Sequence, residues 1–146
     1  MIKRFLDVGI AVADLDVAVA TYSRVLGTSP RMLGPQHYAY PELKGARFYI
    51  GNATISLVAS DDSRSPIARF IETRGEGVNH ISFEVTDIEQ DMKHMAARGV
   101  TFLTPRPLPF PEGQVIFAHP KSTHGIQVAL VQPALGVDLL NPSANR

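Results

Sequence analysis

Gly75-Glu76-Gly77-Val78-Asn79-His80-Ile81-Ser82-Phe83-Glu84-Val85 is the stretch that decides the fold. From His80 onward it alternates. His80, Ser82 and Glu84 fall on one face of a strand, and Ile81, Phe83 and Val85 on the other. Gly75 and Gly77 let the chain turn sharply into it. The same pattern occurs once before: Asp7-Val8-Gly9-Ile10-Ala11-Val12-Ala13-Asp14-Leu15-Asp16 aligns without a gap on His80-Ile81-Ser82-Phe83-Glu84-Val85-Thr86-Asp87-Ile88-Glu89. Asp7 and His80 lie 73 positions apart, and so do Leu57 and Leu130, and Val58 and Val131. Equal spacing at both ends, across loops of different composition, points to a duplicated βαβββ unit. One such unit leaves its sheet half buried, and two together bury it.

Outward from these strands, the first unit reads as a strand over 5–12 and a helix with Leu15, Val19, Tyr22 and Leu26 on one face. Asp14 is its N-cap and Gly27 its stop. Residues 28–41 carry Gly34 and three prolines and read as loop, with a short strand near Tyr38. Strands over 46–50 and 53–59 flank a Gly51-Asn52 turn. Residues 66–72 read as a linker helix. The second unit repeats the order: a strand over 80–85, a cap at Thr86-Asp87 with Glu89 and Gln90 placed for a capping box, and a helix with Ile88, Met92 and Met95 on one face, closed by Gly99. A short strand near Thr101, a proline-rich loop over 105–111, and strands over 114–118 and 126–131 follow. The tail from Pro133 has no periodicity and reads as frayed. The expected organisation is one domain over 1–146: module one at about 5–60, a linker helix at about 65–74, module two at about 78–132 and a tail over 133–146.

Composition excludes several function classes. The 146 residues carry a formal charge of zero, which gives no electrostatic case for nucleic acid or an anionic membrane surface. The absence of cysteine excludes disulfides and thiolate chemistry and fits a reducing compartment. No apolar run approaches the roughly 18 residues of a membrane span, and no signal core follows Met1. The expectation is a cytoplasmic protein whose partner is a small molecule.

The strand faces carry the functional argument. One face collects Val8, Ile10 and Val12 with Ile55, Leu57, Ile81, Phe83, Val85, Val128 and Leu130, which helices should cover. The other collects Asp7, Gly9, Ala11, Thr54, Ser56, Val58, His80, Ser82, Glu84, Gln127, Ala129 and Val131, read as small or polar throughout. A curved sheet lined this way is a cup for a small molecule, the alternative being a face turned to solvent.

The chain resembles the vicinal oxygen chelate (glyoxalase/bleomycin-resistance) superfamily, and within it the methylmalonyl-CoA epimerase group. The likeness rests on residues 8–12, on residues 65–71 running into residues 74–81, and on His119-Pro120-Lys121-Ser122-Thr123. It covers roughly residues 5–132 and implies an α+β fold, two paired βαβββ modules forming a curved mixed sheet cup. It also implies a homodimer. In that group a divalent metal sits on four side chains, one from each of the first and last strands of each module. Those positions fall here on Asp7, Ser56, His80 and Ala129, where the epimerases have His, Glu or Gln, His and Glu. Only His80 matches. Asp7 could ligate a hard cation, Ser56 is a poor ligand and Ala129 cannot ligate. The expectation is therefore no cofactor, with a divalent metal on Asp7 and His80 as the alternative.

Epimerases of this type remove a proton alpha to a thioester and must stabilise an enolate, a task usually given to the metal. Without it, a backbone N–H pair or a cation such as Lys44, Arg47 or Lys121 has to serve. His80 and Asp7 are the candidate acid–base pair, facing each other across the pseudo-twofold. Glu42 resembles the segment that supplies a catalytic carboxylate. Ser56, Ser82 and Gln127 are candidate substrate contacts, and Lys121 a contact for a phosphate-bearing tail. Glu84 shares the His80 face and braces the sheet. Two functions follow: an isomerase or lyase acting by proton abstraction on a small carboxylate or acyl-CoA, or a metal-independent protein that sequesters a small molecule. Asp7, together with the retained His80 and Pro120-Lys121 turn, favours the enzyme.

Overall fold

The computed structural model describes residues 1–144. The chain divides into two compact units, one contiguous over residues 8–79 and one made of residues 1–7 together with residues from 80 onward. The first strand, β1 (Ile2–Ala11), contributes its ends to different units.

In the contiguous unit, β1 is followed by α1 (Leu15–Leu26), β2 (Arg31–Leu33), β3 (Leu43–Ile50), β4 (Ala53–Ser60) and α2 (Pro66–Arg74). The Asp14 side chain accepts from Val17 N–H at 3.1 Å, and Gly27 ends α1 in the left-handed region at φ 67°. The two-residue Gly51-Asn52 turn fixes the β3–β4 register, so Ile50 faces Ala53, Tyr49 faces Thr54 and Arg47 faces Ser56. Helix α1 packs Leu15, Ala18, Val19, Tyr22 and Leu26 against Ala46, Phe48, Leu57 and Ala59 on one side of these strands. Helix α2 lays Ile67, Phe70 and Ile71 over Ala11, Val58 and Leu43, which are small and apolar residues of the other side. The face expected to be open is therefore covered by α2 at that end.

The second unit holds the start of β1 with β5 (Gly77–Val85, from His80), α3 (Ile88–Ala97), β6 (Leu108–Phe110), β7 (Gly113–Ala118) and β8 (Gln127–Pro133). Strand β5 runs parallel to β8, and β8, β7 and β6 form an antiparallel meander. Helix α3 and its cap bring Ile88, Met92 and Met95 onto Val85, Ile116 and Leu130. The βαβββ order is thus present twice, and the α+β class stands.

Local expectations change in five places. The short strand of the first loop is at Arg31–Leu33 and not near Tyr38, because pairing with β3, not its own composition, creates it. The proline-rich loop contains β6, an edge strand in which Pro109 is tolerated. Near Thr101 only a single bridge forms, from Phe102 to Ala118. Helix α3 starts on a simple N-cap, Asp87 accepting from Gln90 N–H at 3.0 Å, and no side chain returns to complete a box. The tail does not fray over its described length. Leu139 is buried, and Asp138 pairs with Arg4 at 2.7 Å.

Candidate active site

The second unit brings together the two groups that the internal repeat aligns. His80 Nε2 stands 3.3 Å from Asp7 Oδ2, with the Asp7 side chain 10% and the His80 side chain 18% exposed. Neither lies on a mobile loop. Asp7 is in β1 and His80 in β5, so both rotamers are held by strand backbone and the neighbouring ladder. Parallel pairing sets Gln127 beside His80, and Ser82 beside Ala129. Ser82 is buried and Gln127 half-buried. The pair thus has an amide on the adjacent strand and a hydroxyl two residues along its own.

Glu84 continues that strand face and is buried, its carboxylate neutralised by Lys3 Nζ at 3.0 Å and Arg4 Nε at 2.6 Å. Arg4 also reaches Asp138. Burial would lower the Arg4 pKa, but the hydrogen bonds to Asp138 and Glu84 outweigh it and raise it. The Arg4 guanidinium, together with the Leu140 backbone N–H, holds the Asp138 carboxyl below its usual range. Glu84 therefore braces the strands through two cations.

The His-Pro-Lys turn is rigid. His119 Nδ1 accepts from Lys121 N–H at 3.1 Å, which leaves the ring proton on Nε2 in the neutral form. Ser122 Oγ takes Thr101 N–H at 3.0 Å. The Lys121 side chain itself is exposed.

In the contiguous unit Ser56 is buried, and its Oγ accepts from Arg47 Nε at 3.4 Å. Sequence reading named Arg47, with Lys44 and Lys121, as a candidate to stabilise the enolate, by proximity along the chain alone. The hairpin register that sets it against Ser56 was the stronger signal. Glu42 lines an open cleft of about 680 Å³ with Lys44, Asp61 and Arg64, and its backbone carbonyl accepts from Ser60 Oγ at 2.8 Å. Burial, then the Glu42 carboxylate, push the Tyr40 phenol up. Lys44 is engaged by Asp61 at 2.8 Å.

The donor set does not fit the metal that the family resemblance implies. Ala129 offers no donor atom, and the Ser56 oxygen already receives a guanidinium proton. Among the described residues no group of three or more His, Cys, Asp or Glu side chains is placed to hold a metal ion.

Residues 7–118 match the Glyoxalase/Bleomycin resistance protein/Dioxygenase superfamily. An ethylmalonyl-CoA/methylmalonyl-CoA epimerase of Cereibacter sphaeroides is 33% identical over 135 residues, covering 90% of this chain and 99% of the relative. The structure of methylmalonyl-CoA epimerase from Mycobacterium tuberculosis superposes with a TM-score of 0.76 at 29% identity, over 91% of this chain and 89% of that one. A variant epimerase of Streptomyces coelicolor in complex with 2-nitronate-propionyl-CoA gives 0.80 at 26% identity, over 92% and 99%. No helix of the described residues is long and apolar enough to cross a membrane. On the extent of the family match and the length of the shared fold, the chain belongs to the Glyoxalase/Bleomycin resistance protein/Dioxygenase superfamily, with methylmalonyl-CoA epimerases among its relatives.

Proposed function

We propose that this chain is an epimerase-type isomerase that removes and replaces the proton alpha to the carbonyl of a carboxylated acyl-CoA, without a divalent metal. The observation that carries the reading is the Asp7–His80 pair, 3.3 Å apart on two strands. His80 is the base. Asp7 steadies the imidazolium that forms, as a carboxylate does when bonded to a ring N–H. Water protonates the planar enolate on the face opposite His80, which inverts the carbon, and the imidazolium gives its proton to solvent. Gln127, beside His80 on the adjacent strand, and Ser82, two residues along its own, are the amide and hydroxyl donors for the substrate oxygens. Lys121, exposed on its rigid turn, meets the phosphates of the CoA tail. Glu42 is assigned no step.

The test is loss of the alpha-proton NMR signal of methylmalonyl-CoA in D2O with chelator-treated protein. Wild type should exchange the proton, and His80→Ala and Asp7→Asn should each slow the exchange about 100-fold or more. Tight binding of the thioester with no exchange would replace the enzyme with a sequestering protein, and the second reading would then stand.

A further inference from the structure

Two cross-strand pairs link β1 to its neighbour β5 within the second unit. Asp7 meets His80 at 3.3 Å. Three residues earlier on β1, Arg4 donates through Nε to Glu84, four residues later on β5, at 2.6 Å. The contacts run in opposite directions along the two chains, as those of antiparallel neighbours do. The Arg4 guanidinium is held from a second edge, its Nη2 donating to Asp138 at 2.7 Å, and Lys3 donates to the other Glu84 oxygen at 3.0 Å. Burying Glu84 costs desolvation that an apolar pair of similar volume would avoid. What a buried ion pair can supply in return is register. The apolar pattern of β1 does not supply all of it. Leu6, Val8 and Ile10 recur at every second residue, so a shift by one would turn them to the wrong face, but a shift by two leaves every side chain on its own face. That shift moves Asp7 by about 7 Å along the strand, out of reach of His80.

We propose that Arg4 and Glu84 are positioning residues: their ion pair sets the register of β1 on β5, and through it the contact between Asp7 and His80. Its contribution is to where the strands sit and not to how firmly the chain folds. The register role stands on the two pairs alone, while its effect on turnover rests on the isomerase reading.

The test replaces both partners at once. An Arg4→Met, Glu84→Leu double variant keeps the volume and removes both charges, so its urea midpoint should match or exceed that of wild type. The NOE between the His80 ring protons and the Asp7 β protons should nevertheless be lost. With it, kcat for alpha-proton exchange of methylmalonyl-CoA should fall about 10- to 100-fold at little change in KM, as for a displaced base. Arg4→Lys, which keeps a cation for Glu84, should retain the NOE. A folded double variant with the NOE intact overturns the proposal and makes the pair an ordinary brace. If the double variant does not fold, Glu84→Gln decides, since it keeps the shape without the charge: a weakened NOE supports the register role, and one at full strength overturns it. If wild type exchanges no alpha proton while the double variant loses the NOE, the isomerase reading falls and the register role stands.

Discussion

Glu84 shows what a single buried charge demands of its surroundings. Its side chain is 5% exposed and is matched by Lys3 and by Arg4, the latter 35% exposed. Removing one partner of a fully buried pair typically costs roughly 3–5 kcal/mol. Because Arg4 is partly solvated and Lys3 stays, Arg4→Met should cost about 2 kcal/mol in urea unfolding. Asp138, the other partner of Arg4, has its pKa lowered by folding. Its stabilisation is therefore full above the unfolded carboxyl value of about 3.9 and is lost as pH falls through the depressed folded value. Amide protection around Leu139 and Leu140, measured against the unstructured rate at each pH, should fall below about pH 4, and Asp138→Asn should abolish that dependence and lower the protection at neutral pH. The Asp7–His80 pair was legible in the sequence because the duplication aligns the two residues. The Arg4–Glu84 pair was not, since the only cue was two opposite charges 80 positions apart, one among many such pairs.

At the scale of elements, the long pieces announce themselves through chemistry local to the chain. Asp14 and Asp87 each satisfy an orphan N–H in the first turn of a helix, and either residue changed to Ala should lower stability by about 1 kcal/mol in thermal unfolding. The hairpin register followed from the length of its turn, and the facing of Arg47 and Ser56 with it. Strands β2 and β6 were misplaced because each has three residues and sits at an edge. Their partners' free ladder groups, not their own sequences, make them strands. Gly113 opens β7 at φ 152°, and a Cβ there would meet the Gln132 carbonyl oxygen at 2.1 Å. Gly113→Ala should cost more than an ordinary glycine substitution, about 2–3 kcal/mol, with Gly51→Ala, which meets nothing, as the milder comparison.

For the whole molecule, the boundary between the units does not fall where a module reading puts it. Residues 1–7 belong with residue 80 and beyond, and they bring Asp7 to His80 and two cations to Glu84. A fragment of residues 80–146 should therefore lack cooperative unfolding and a dispersed NMR spectrum, although it contains a complete βαβββ order. If that fragment folds by itself, the first seven residues are ornament and not part of its core.

The interrupted makeup of that unit also has a temporal side. On the ribosome, residues 8–79 are available together, and local pairings such as the β3–β4 hairpin can form as soon as they emerge. The first seven residues are made earliest, yet the ion pairs of Lys3, Arg4 and Asp7 reach residues made after that stretch. Those pairs cannot close until His80, Glu84 and finally Asp138 leave the exit tunnel. The Asp7–His80 pair is thus assembled late in translation, from the earliest piece of chain and a much later one. A truncation after residue 79 would leave the contiguous unit whole and the Asp7–His80 pair unmade.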